Sequence, residues 1–386
     1  MVPISQHLSR TLKLLLPLVL AISATHSRAQ STVPPKYVLQ WSDNFSGDAL
    51  NVTKWNYRTD IKSKSAQLPA NISVSDGQMN IALRRQDFAG EHFTGGGIVS
   101  KAAFRYGYFQ VEAKTTRNPG WHSSFWMFAG NGATTFAPGA LTEIDDFEIN
   151  SGAPDVISMG MLDWSGGKAV GSIRCNAHYK PGWSTAEGYH TYGLEWTEQE
   201  IQYYLDGSRI CSQPYPPTQY THDALNVWLT AIGYAPDVAV NDPSSGVSFR
   251  NVAYYIRDYY LADGDSGYVE YGQGWKVSPV PGYSKIASRV SCQKEALATY
   301  TPTILKAATY DVQLYRVPAP NGDSDARVTV DFAGGSKSKI ISFAAGDEGW
   351  VDLGSYPFSV GAAGSVTSAA SGQGCIYTSM VKFVRQ

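Results

Sequence analysis

Short alternations of apolar and polar residues, separated by Gly, Pro, Asn and Asp, run through most of the chain. Residues 108–114 (YFQVEAK) place apolar side chains at every second position, which predicts a half-buried strand. Residues 200–205 (EIQYYL) run directly into Asp206-Gly207, a typical hairpin turn. Further strands are predicted at 226–232 and 252–260. Since no stretch shows sustained helical periodicity, the pattern predicts an all-β protein built as a sandwich or jelly roll.

A boundary is predicted near residues 262–267 (ADGDSG), where turn-forming residues cluster. A second set of strands follows, at 309–317, 327–332, 339–343, 350–353 and 377–384. We therefore expect a larger β domain at 30–262 and a smaller β-sandwich domain at 263–386. The alternative is a single domain with a long C-terminal decoration.

Residues 1–29 have the features of a secretory signal peptide. Arg10 and Lys13 precede the short apolar stretch 14–22, and 27–29 (SRA) is a small-x-small cleavage sequence. A short membrane anchor is the alternative. No later segment is long and apolar enough to span a bilayer. We expect a secreted, extracellular monomer without a membrane partner.

The four cysteines agree with an oxidising compartment. Cys175 and Cys211 lie in the first part, and Cys292 and Cys375 in the last. Three connectivities are open, of which pairing within each half is the simplest. The chain also has three sequons, which predict a glycoprotein only in a eukaryotic host; they begin at Asn44, Asn51 and Asn71.

Charge adds a constraint on the partner. Charged residues make up 17% of the chain and the formal net charge is -2, so the clustered basic charge of a nucleic-acid-binding protein is missing. A neutral polymer suits such a chain better than a phosphate backbone. The 24 Tyr and 10 Trp residues serve mostly as sheet packing, and a few could be flat platforms for sugar rings.

The stretch Glu143-Ile-Asp-Asp-Phe-Glu148 places four carboxylates in six residues of a charge-poor chain. On a regular strand Glu143 and Asp145 share one face, and Glu148 points the other way. One extra residue in a β-bulge at 146–147 would return Glu148 to their face. Paired carboxylates about 5–5.5 Å apart carry out retaining glycoside hydrolysis, in which one attacks the anomeric carbon and the other protonates the leaving oxygen.

That geometry is demanding, because four register steps separate two Cα atoms by about 13 Å. Two glutamate side chains on a concave, twisted sheet must reach across the remainder. An acidic surface strand and a calcium site are the alternatives, since oxygen-rich clusters bind that ion.

The acidic strand resembles the bulged Glu-x-Asp-x-x-Glu signature of glycoside hydrolase family 16. Other family features occur in the expected order over roughly 37–261: the Gly-rich approach at 95–101, the aromatic strand at 121–126 (WHSSFW), the late hairpin at 190–207 and the closing strand at 252–260. The C-terminal segment resembles the golvesin-type β-sandwich, through 309–315 and 349–354. It could bind carbohydrate or support the enzyme.

The resemblance implies a concanavalin-like jelly roll with a cleft on its concave face. Glu143 would be the nucleophile, Asp145 its helper and Glu148 the acid/base. The implied substrate contacts are Trp121, Trp126, Trp228, His178 and Arg105. Trp121 would be a stacking platform, Trp126 and Trp228 could instead be core residues, and His178 would lie near the acid/base or be a buried structural histidine.

The implied activity is hydrolysis of internal β-linkages in a polysaccharide, with a laminarin-like β-1,3-glucan as the first expectation. The family also leaves open a β-1,3-galactanase, a transglycosylase and a non-catalytic carbohydrate-binding protein. Residues 122–124 (HSS) and the acidic Asp146 depart from the usual pattern, and this puts the sugar specificity in doubt. No cofactor is expected, and a structural calcium ion stays open.

Overall fold

The structure, a computed structural model, describes residues 33–133, 139, 142–235, 238–239 and 246–386. Residues 32–386 group into one compact unit. The predicted signal peptide, residues 1–29, lies outside the described residues. In the part of the chain that is described, no helix is long and apolar enough to cross a membrane.

The described chain is almost entirely β-strand, with two short 3-10 helices at Pro69–Asn71 and Tyr283–Lys285. The strands in chain order are β1 (Val38–Asp43), β2 (Trp55–Tyr57), β3 (Ile61–Lys62), β4 (Ser65–Gln67), β5 (Ile72–Ser75), β6 (Gln78–Ala82), β7 (Arg84–Phe88), β8 (Glu91–Phe104), β9 (Gly107–Lys114), β10 (Trp121–Phe128), β11 (Thr142–Asn150), β12 (Ile157–Ser165), β13 (Lys168–Tyr179), β14 (His190–Trp196), β15 (Glu200–Leu205), β16 (Ser208–Pro214), β17 (Leu225–Gly233), β18 (Gly246–Ile256), β19 (Tyr259–Ala262), β20 (Tyr268–Tyr271), β21 (Lys276–Val277), β22 (Arg289–Ser291), β23 (Leu297–Tyr300), β24 (Ala308–Arg316), β25 (Ala326–Phe332), β26 (Gly335–Ile341), β27 (Gly349–Phe358), β28 (Ser365–Ala369), β29 (Ile376–Thr378) and β30 (Met380–Arg385).

Two large sheets form the first part of the fold. One has the order β16-β15-β14-β9-β18-β6-β5, with β1 also paired to β18, and the other has the order β13-β12-β11-β10-β17-β8-β4-β3, with β2 and β7 also paired to β8. Phe147 of the second sheet contacts Tyr192 of the first, with ring centroids 4.3 Å apart. The Tyr203 hydroxyl donates to the Gly160 carbonyl across the same interface, at 2.9 Å. The sheets thus pack face to face, and the predicted β-jelly-roll sandwich is confirmed.

Local sequence explains the central strands. In β9 the apolar side chains at every second position are fully buried, as the alternation predicts. The hairpin between β15 and β16 turns at Asp206 (φ 48°) and Gly207 (φ 80°). Two successive positive φ values are the geometry of a type I′ turn, for which Asp-Gly is a preferred pair.

The second part of the fold contains three smaller sheets, ordered β19-β30-β24-β27, β20-β23-β28-β25-β26 and β21-β22-β29. The single strand predicted at 252–260 is in fact two. It breaks at Arg257-Asp258, where the Asp258 carboxylate accepts from the backbone N–H of Arg385 at 2.9 Å. The chain therefore changes sheets before the predicted boundary, since β19 pairs with β30. The domain limits at 262 and 263 stay a prediction.

Two disulfides follow the predicted pairing within each half. Cys175 of β13 is bonded to Cys211 of β16, which joins the two large sheets. Cys292 is bonded to Cys375 in the C-terminal part.

The predicted glycosylation sites differ in exposure. Asn44 and Asn51 are exposed, whereas Asn71 is buried. The Asn71 amide donates to Thr94 Oγ1 at 2.9 Å and to the Gly95 carbonyl at 2.8 Å. In the folded chain the Asn71 amide nitrogen is therefore buried and hydrogen-bonded, and glycosylation at the three sequons stays a prediction.

Glu198, in the loop between β14 and β15, connects the first sheet to the C-terminal part. Its carboxylate accepts from Trp350 Nε1 at 2.6 Å and from Lys382 Nζ at 2.8 Å. The ammonium group of Lys382 also lies 4.1 Å from the centroid of the Trp350 ring. Since the Lys382 side chain is only 10% exposed, this carboxylate neutralises a nearly buried cation.

We predict that Glu198→Ala lowers the free energy of unfolding of the full chain by about 3 kcal/mol, because it leaves the Lys382 ammonium buried without its carboxylate. Urea denaturation measures the change. Glu187→Ala is the matched control: its carboxylate pairs with Arg117 at 2.7 Å on the surface, and its loss should cost less than about 1 kcal/mol. Equal losses in the two variants would contradict the buried connection.

Candidate active site

A β-bulge interrupts β11 at residues 146–147. On the β10 side Phe125 faces Phe147, and the next residue, Trp126, faces Asp145. On the β12 side the pairing passes from Asp145↔Gly160 to Glu148↔Ser158, so that two residues of β11 oppose one of β12. The predicted one-residue bulge is confirmed by both neighbouring strands.

The bulge sorts the side chains of β11 between two faces. Ile144 and Phe147 are fully buried in the core, and Asp146 is buried with a pKa that burial raises well above its ordinary value. Glu143, Asp145 and Glu148 instead line one cavity of about 110 Å³ on the outer face of the second sheet. The three carboxyls that the motif places in a row are therefore brought together.

Glu143 is buried beside Trp164 and Asp145. Trp164 Nε1 donates to its Oε2 at 3.0 Å, and Asp145 shares a side-chain hydrogen bond with it. Burial, followed by the nearby charge of Glu148, raises the pKa of Glu143 to about 7. Burial and the two flanking glutamates also raise the pKa of Asp145 well above its ordinary value. One proton can thus be held between Glu143 and Asp145 near neutral pH.

Glu148 has the opposite environment. Its Oε2 accepts from Arg174 Nη1 at 2.6 Å, and its Oε1 lies 3.3 Å from His122 Nε2. Burial alone would raise its pKa, but the His122 and Arg174 contacts outweigh burial and lower the pKa of Glu148 to about 2. In the free protein Glu148 is therefore the ionised glutamate.

Gly160 makes the Arg174 contact feasible. Asp145, Gly160 and Arg174 stand side by side on β11, β12 and β13. A Cβ atom at residue 160 would lie 3.2 Å from Arg174 Cδ and 2.4 Å from the carbonyl oxygen of Ile173. Because the middle position has no side chain, Arg174 extends across it towards the carboxylates.

The tryptophans that the resemblance implied divide by strand face. In β10 the even-numbered residues face the cavity, so Trp126 lines it and its Nε1 donates to Thr230 Oγ1 at 3.2 Å. Trp121 points to the opposite face of β10. It lies in the core, where its side chain is 1% exposed and its Nε1 donates to the Ala239 carbonyl. The expectation that Trp121 is a stacking platform is corrected, because the pleat of β10 turns it inward.

Trp228 is on the cavity side of its strand but is completely covered. Its ring packs against Trp126 at 4.8 Å, with the guanidinium of Arg58 at 5.6 Å. It therefore supports Trp126 from below and offers no surface to a sugar.

The two remaining implied contacts have different outcomes, since His178 lies near Glu148 as one expectation held, and Arg105 does not line either carboxylate cavity. Arg105 pairs with Asp265 at 3.0 Å and donates to the His222 carbonyl at 2.8 Å. The expectation of a substrate contact at Arg105 is corrected to a structural tie. His178 is exposed and lines the outer part of a second cavity of about 390 Å³, which also contains Glu148.

Several cavity residues were not identified from the sequence. They are His122, Trp164, Arg174, Thr230 and Tyr234. His122 and Thr230 could have been found from strand alternation, because each lies on the same face as Trp126 or Trp228. Arg174 and Tyr234 carried no comparable signal, since their placement depends on the pairing of β13 and on the chain after β17.

Among the described residues, no group of three or more His, Cys, Asp or Glu side chains is arranged to hold a metal ion. The calcium alternative for the acidic strand finds no such ligand set there, while a structural ion elsewhere stays untested.

Fold and cavity together define an all-β sandwich with three carboxyls on the open face of one sheet. Residues 60–232 match the glycosyl hydrolases family 16, and residues 261–385 match the golvesin C-terminal domain. These two matches confirm the resemblances recognised in both parts of the sequence.

Curated relatives agree with the first of these matches. A beta-glucanase of Acetivibrio thermocellus is 27% identical over 142 residues, which cover 37% of this chain and 39% of the relative. A glucan endo-1,3-beta-glucosidase A1 of Niallia circulans is 28% identical over 195 residues, covering 44% and 28%. The matched part is thus well under half the length of these relatives. Among solved structures, porphyranase B of Zobellia galactanivorans has a TM-score of 0.49 at 19% identity, covering 58% of this chain and 97% of that one.

We predict that Glu143→Gln stabilises the protein at about pH 8 by about 2–3 kcal/mol more than it does at about pH 4. The folded-state pKa of Glu143 is raised, so the carboxyl is neutral in both states at low pH. As pH rises through about 7, the folded state must ionise a buried group and loses stability, which the amide avoids. Urea unfolding at the two pH values measures this difference.

The control is Glu187→Gln at the exposed ion pair with Arg117, whose effect should change by less than about 0.5 kcal/mol between the two pH values. A stability gain in Glu143→Gln that does not depend on pH would contradict the buried, hard-to-ionise carboxyl.

Proposed function

We propose that this protein is a retaining endo-glycosidase that hydrolyses internal β-linkages of a polysaccharide, with a laminarin-like β-1,3-glucan as its substrate. The observation that carries the proposal is the bulge in β11, because it gives Glu143 and Glu148 a common cavity with Asp145 between them. Two carboxyls flanking one site are the requirement for glycoside hydrolysis by double displacement.

In this proposal the motif positions set the roles. Glu143 attacks the anomeric carbon, and Trp164 and Asp145 hold its carboxyl by hydrogen bonds. Glu148 protonates the leaving oxygen and then deprotonates the attacking water. Trp126, which lines the cavity beside Asp145, supplies an aromatic wall for a sugar ring.

In the free protein, Glu143 and Glu148 have the opposite protonation states from those that the first reaction step requires. Glu148 is held ionised by Arg174 and His122, whereas Glu143 is the glutamate with the raised pKa. A first step with these roles therefore needs a proton on Glu148 and a charge on Glu143. Positive charge developing at the anomeric carbon favours the ionised Glu143, and the bound sugar must compete with the cations around Glu148.

Hydrolysis of a galactan is the second candidate, and one observation favours it. Arg174, His178 and Lys62 all line the cavity that contains Glu148, so this end of the cleft offers cations to a substituted sugar. A kappa-carrageenase of Pseudoalteromonas carrageenovora is among the relatives, 23% identical over 246 residues. Extracellular action fits either candidate, because both disulfides suit an oxidising compartment.

We predict that Glu143→Gln and Glu148→Gln each lower reducing-sugar release from laminarin at least about 10³-fold, because each removes a group that acts on the reacting bond. Proton NMR of the first product should show the β-anomer, as retention demands. His92→Gln, a change at an exposed histidine paired with Asp87, should leave the rate unchanged. Full activity in Glu143→Gln would refute the proposed mechanism.

The substrate is tested with laminarin, mixed-linkage glucan, β-1,3-galactan, agarose and carrageenan in parallel. We expect laminarin to be cut fastest, with oligosaccharide products of several lengths that indicate internal cleavage. Preferential cleavage of a galactan would select the second candidate. Products longer than the starting oligosaccharide would indicate a transglycosylase, and binding without cleavage in all cases would indicate a carbohydrate-binding protein.

A further inference from the structure

Both carboxylate oxygens of Glu148 are engaged by nitrogen donors. Arg174 Nη1 lies 2.6 Å from Oε2, and His122 Nε2 lies 3.3 Å from Oε1. A carboxylate in this arrangement is well held but has no proton to give. An acid/base at this position needs a proton from one of its two partners.

We propose that His122 is the positioning residue that shares a transferable proton with Glu148. The inference rests on the proposed function. The imidazolium Nε2–H passes its proton to Glu148 Oε1, which leaves a neutral imidazole and a carboxylic acid. Glu148 then gives that proton to the leaving oxygen, and in the second step the proton taken from water returns through Glu148 to His122.

The chemistry of the two partners separates their roles. A guanidinium does not release its proton in proteins, whereas an imidazole does so near neutral pH. Arg174 therefore anchors Oε2, and His122 is the partner able to exchange a proton. Among the described residues no hydrogen bond joins the His178 ring to Glu148, although both line the same cavity.

The orientation of the His122 ring is fixed from its other side. His122 Nδ1 lies 2.9 Å from Asn150 Oδ1, and the Tyr234 ring lies 5.4 Å from the imidazole centroid. A hydrogen bond from Nδ1–H to Asn150 leaves Nε2 facing Glu148 in both protonation states. This is the arrangement by which a second partner fixes an imidazole for proton transfer.

Charges on every neighbouring element act on this pair. The acids are Glu143, Asp145 and Glu148 itself on β11. The basic groups are Arg174 and His178 on β13, Lys62 on β3 and Arg58, which follows β2. The acids favour a protonated imidazole and the cations oppose it. Since Glu148 is the nearest charge to His122, the proton distribution of this pair is decided chiefly between them.

The test compares His122→Gln with the wild-type protein on two aryl β-glycosides of laminaribiose. Phenol is a leaving group that needs protonation, and 2,4-dinitrophenol is one that does not. On the phenyl glycoside kcat/KM should fall about 100-fold, at the lower end of a lost proton-transfer contribution. On the dinitrophenyl glycoside it should stay within about threefold. Equal losses on both would overturn the inference, because a merely structural role affects both alike.

The pH profile gives the second readout. In wild-type protein His122 can return a proton to Glu148, but in His122→Gln the proton depends on Glu148 alone, whose pKa the remaining Arg174 contact lowers. The basic limb of kcat/KM should therefore move to lower pH in the variant. An unmoved basic limb would overturn the inference. His92→Gln is the matched control and should leave both limbs in place.

NMR of the His122 ring provides a readout that does not depend on how well His122→Gln folds. The ring signals should respond differently to pH in wild-type protein and in Glu148→Gln, because the variant removes the group that shares the proton. Identical titrations in the two proteins would overturn the inference. Failure of the proposed function has a different signature, in which the wild-type protein hydrolyses neither aryl glycoside nor any polysaccharide.

Discussion

The extra residue in β11 is the constraint on which the cleft depends. Since side chains alternate strictly along a strand, a regular strand without the bulge would turn Glu148 inward and Phe147 outward. Phe147 prevents this arrangement, because its ring fills the core against Tyr192 at 4.3 Å and Phe125 at 6.4 Å. Apolar packing on the inner face thus fixes where the carboxyls stand on the outer face. Asp146 is the part of this arrangement that costs stability, since its carboxyl is buried and must stay neutral.

Once the carboxyls share a face, their surroundings separate their protonation states. Glu143 is buried beside Trp164, whereas Glu148 lies between Arg174 and His122. Environments that push the pKa values of two acids apart are typical of acid/base sites. In the proposed mechanism the first step needs the opposite distribution of charge, with Glu143 ionised and Glu148 protonated. Gly160 contributes to the ionised state of Glu148, because a side chain at residue 160 would obstruct the path by which Arg174 reaches the cleft.

Much of the fold could be predicted because short local sequence patterns determine its strands and turns. Period-two alternation and the Asp206-Gly207 turn predicted β9 and the β15–β16 hairpin, and the spacing of the acidic strand predicted the bulge. The break at Arg257-Asp258 was missed, because an apolar run does not reveal that its two halves pair with different sheets. The same limit explains the error at Trp121. Resemblance suggested a platform there, but its face is decided by register with the bulged strand, which places His122, Ser124 and Trp126 outward.

The prediction for Arg105 was also wrong, because its contacts are with residues far away in the sequence. It follows β8 directly in sequence, yet its partners are Asp265 and the His222 carbonyl. Glu198 makes a comparable tie to Lys382 and Trp350. Both ties lie at the ends of strands, and the residues that line the two cavities all fall between Arg58 and Tyr234. The C-terminal part therefore contacts the sandwich through these ties and can stabilise it. It contributes no side chain to either of the two carboxylate cavities. On these contacts we favour support of the catalytic sandwich over a share in its subsites, and any carbohydrate bound by the C-terminal part would occupy a separate surface.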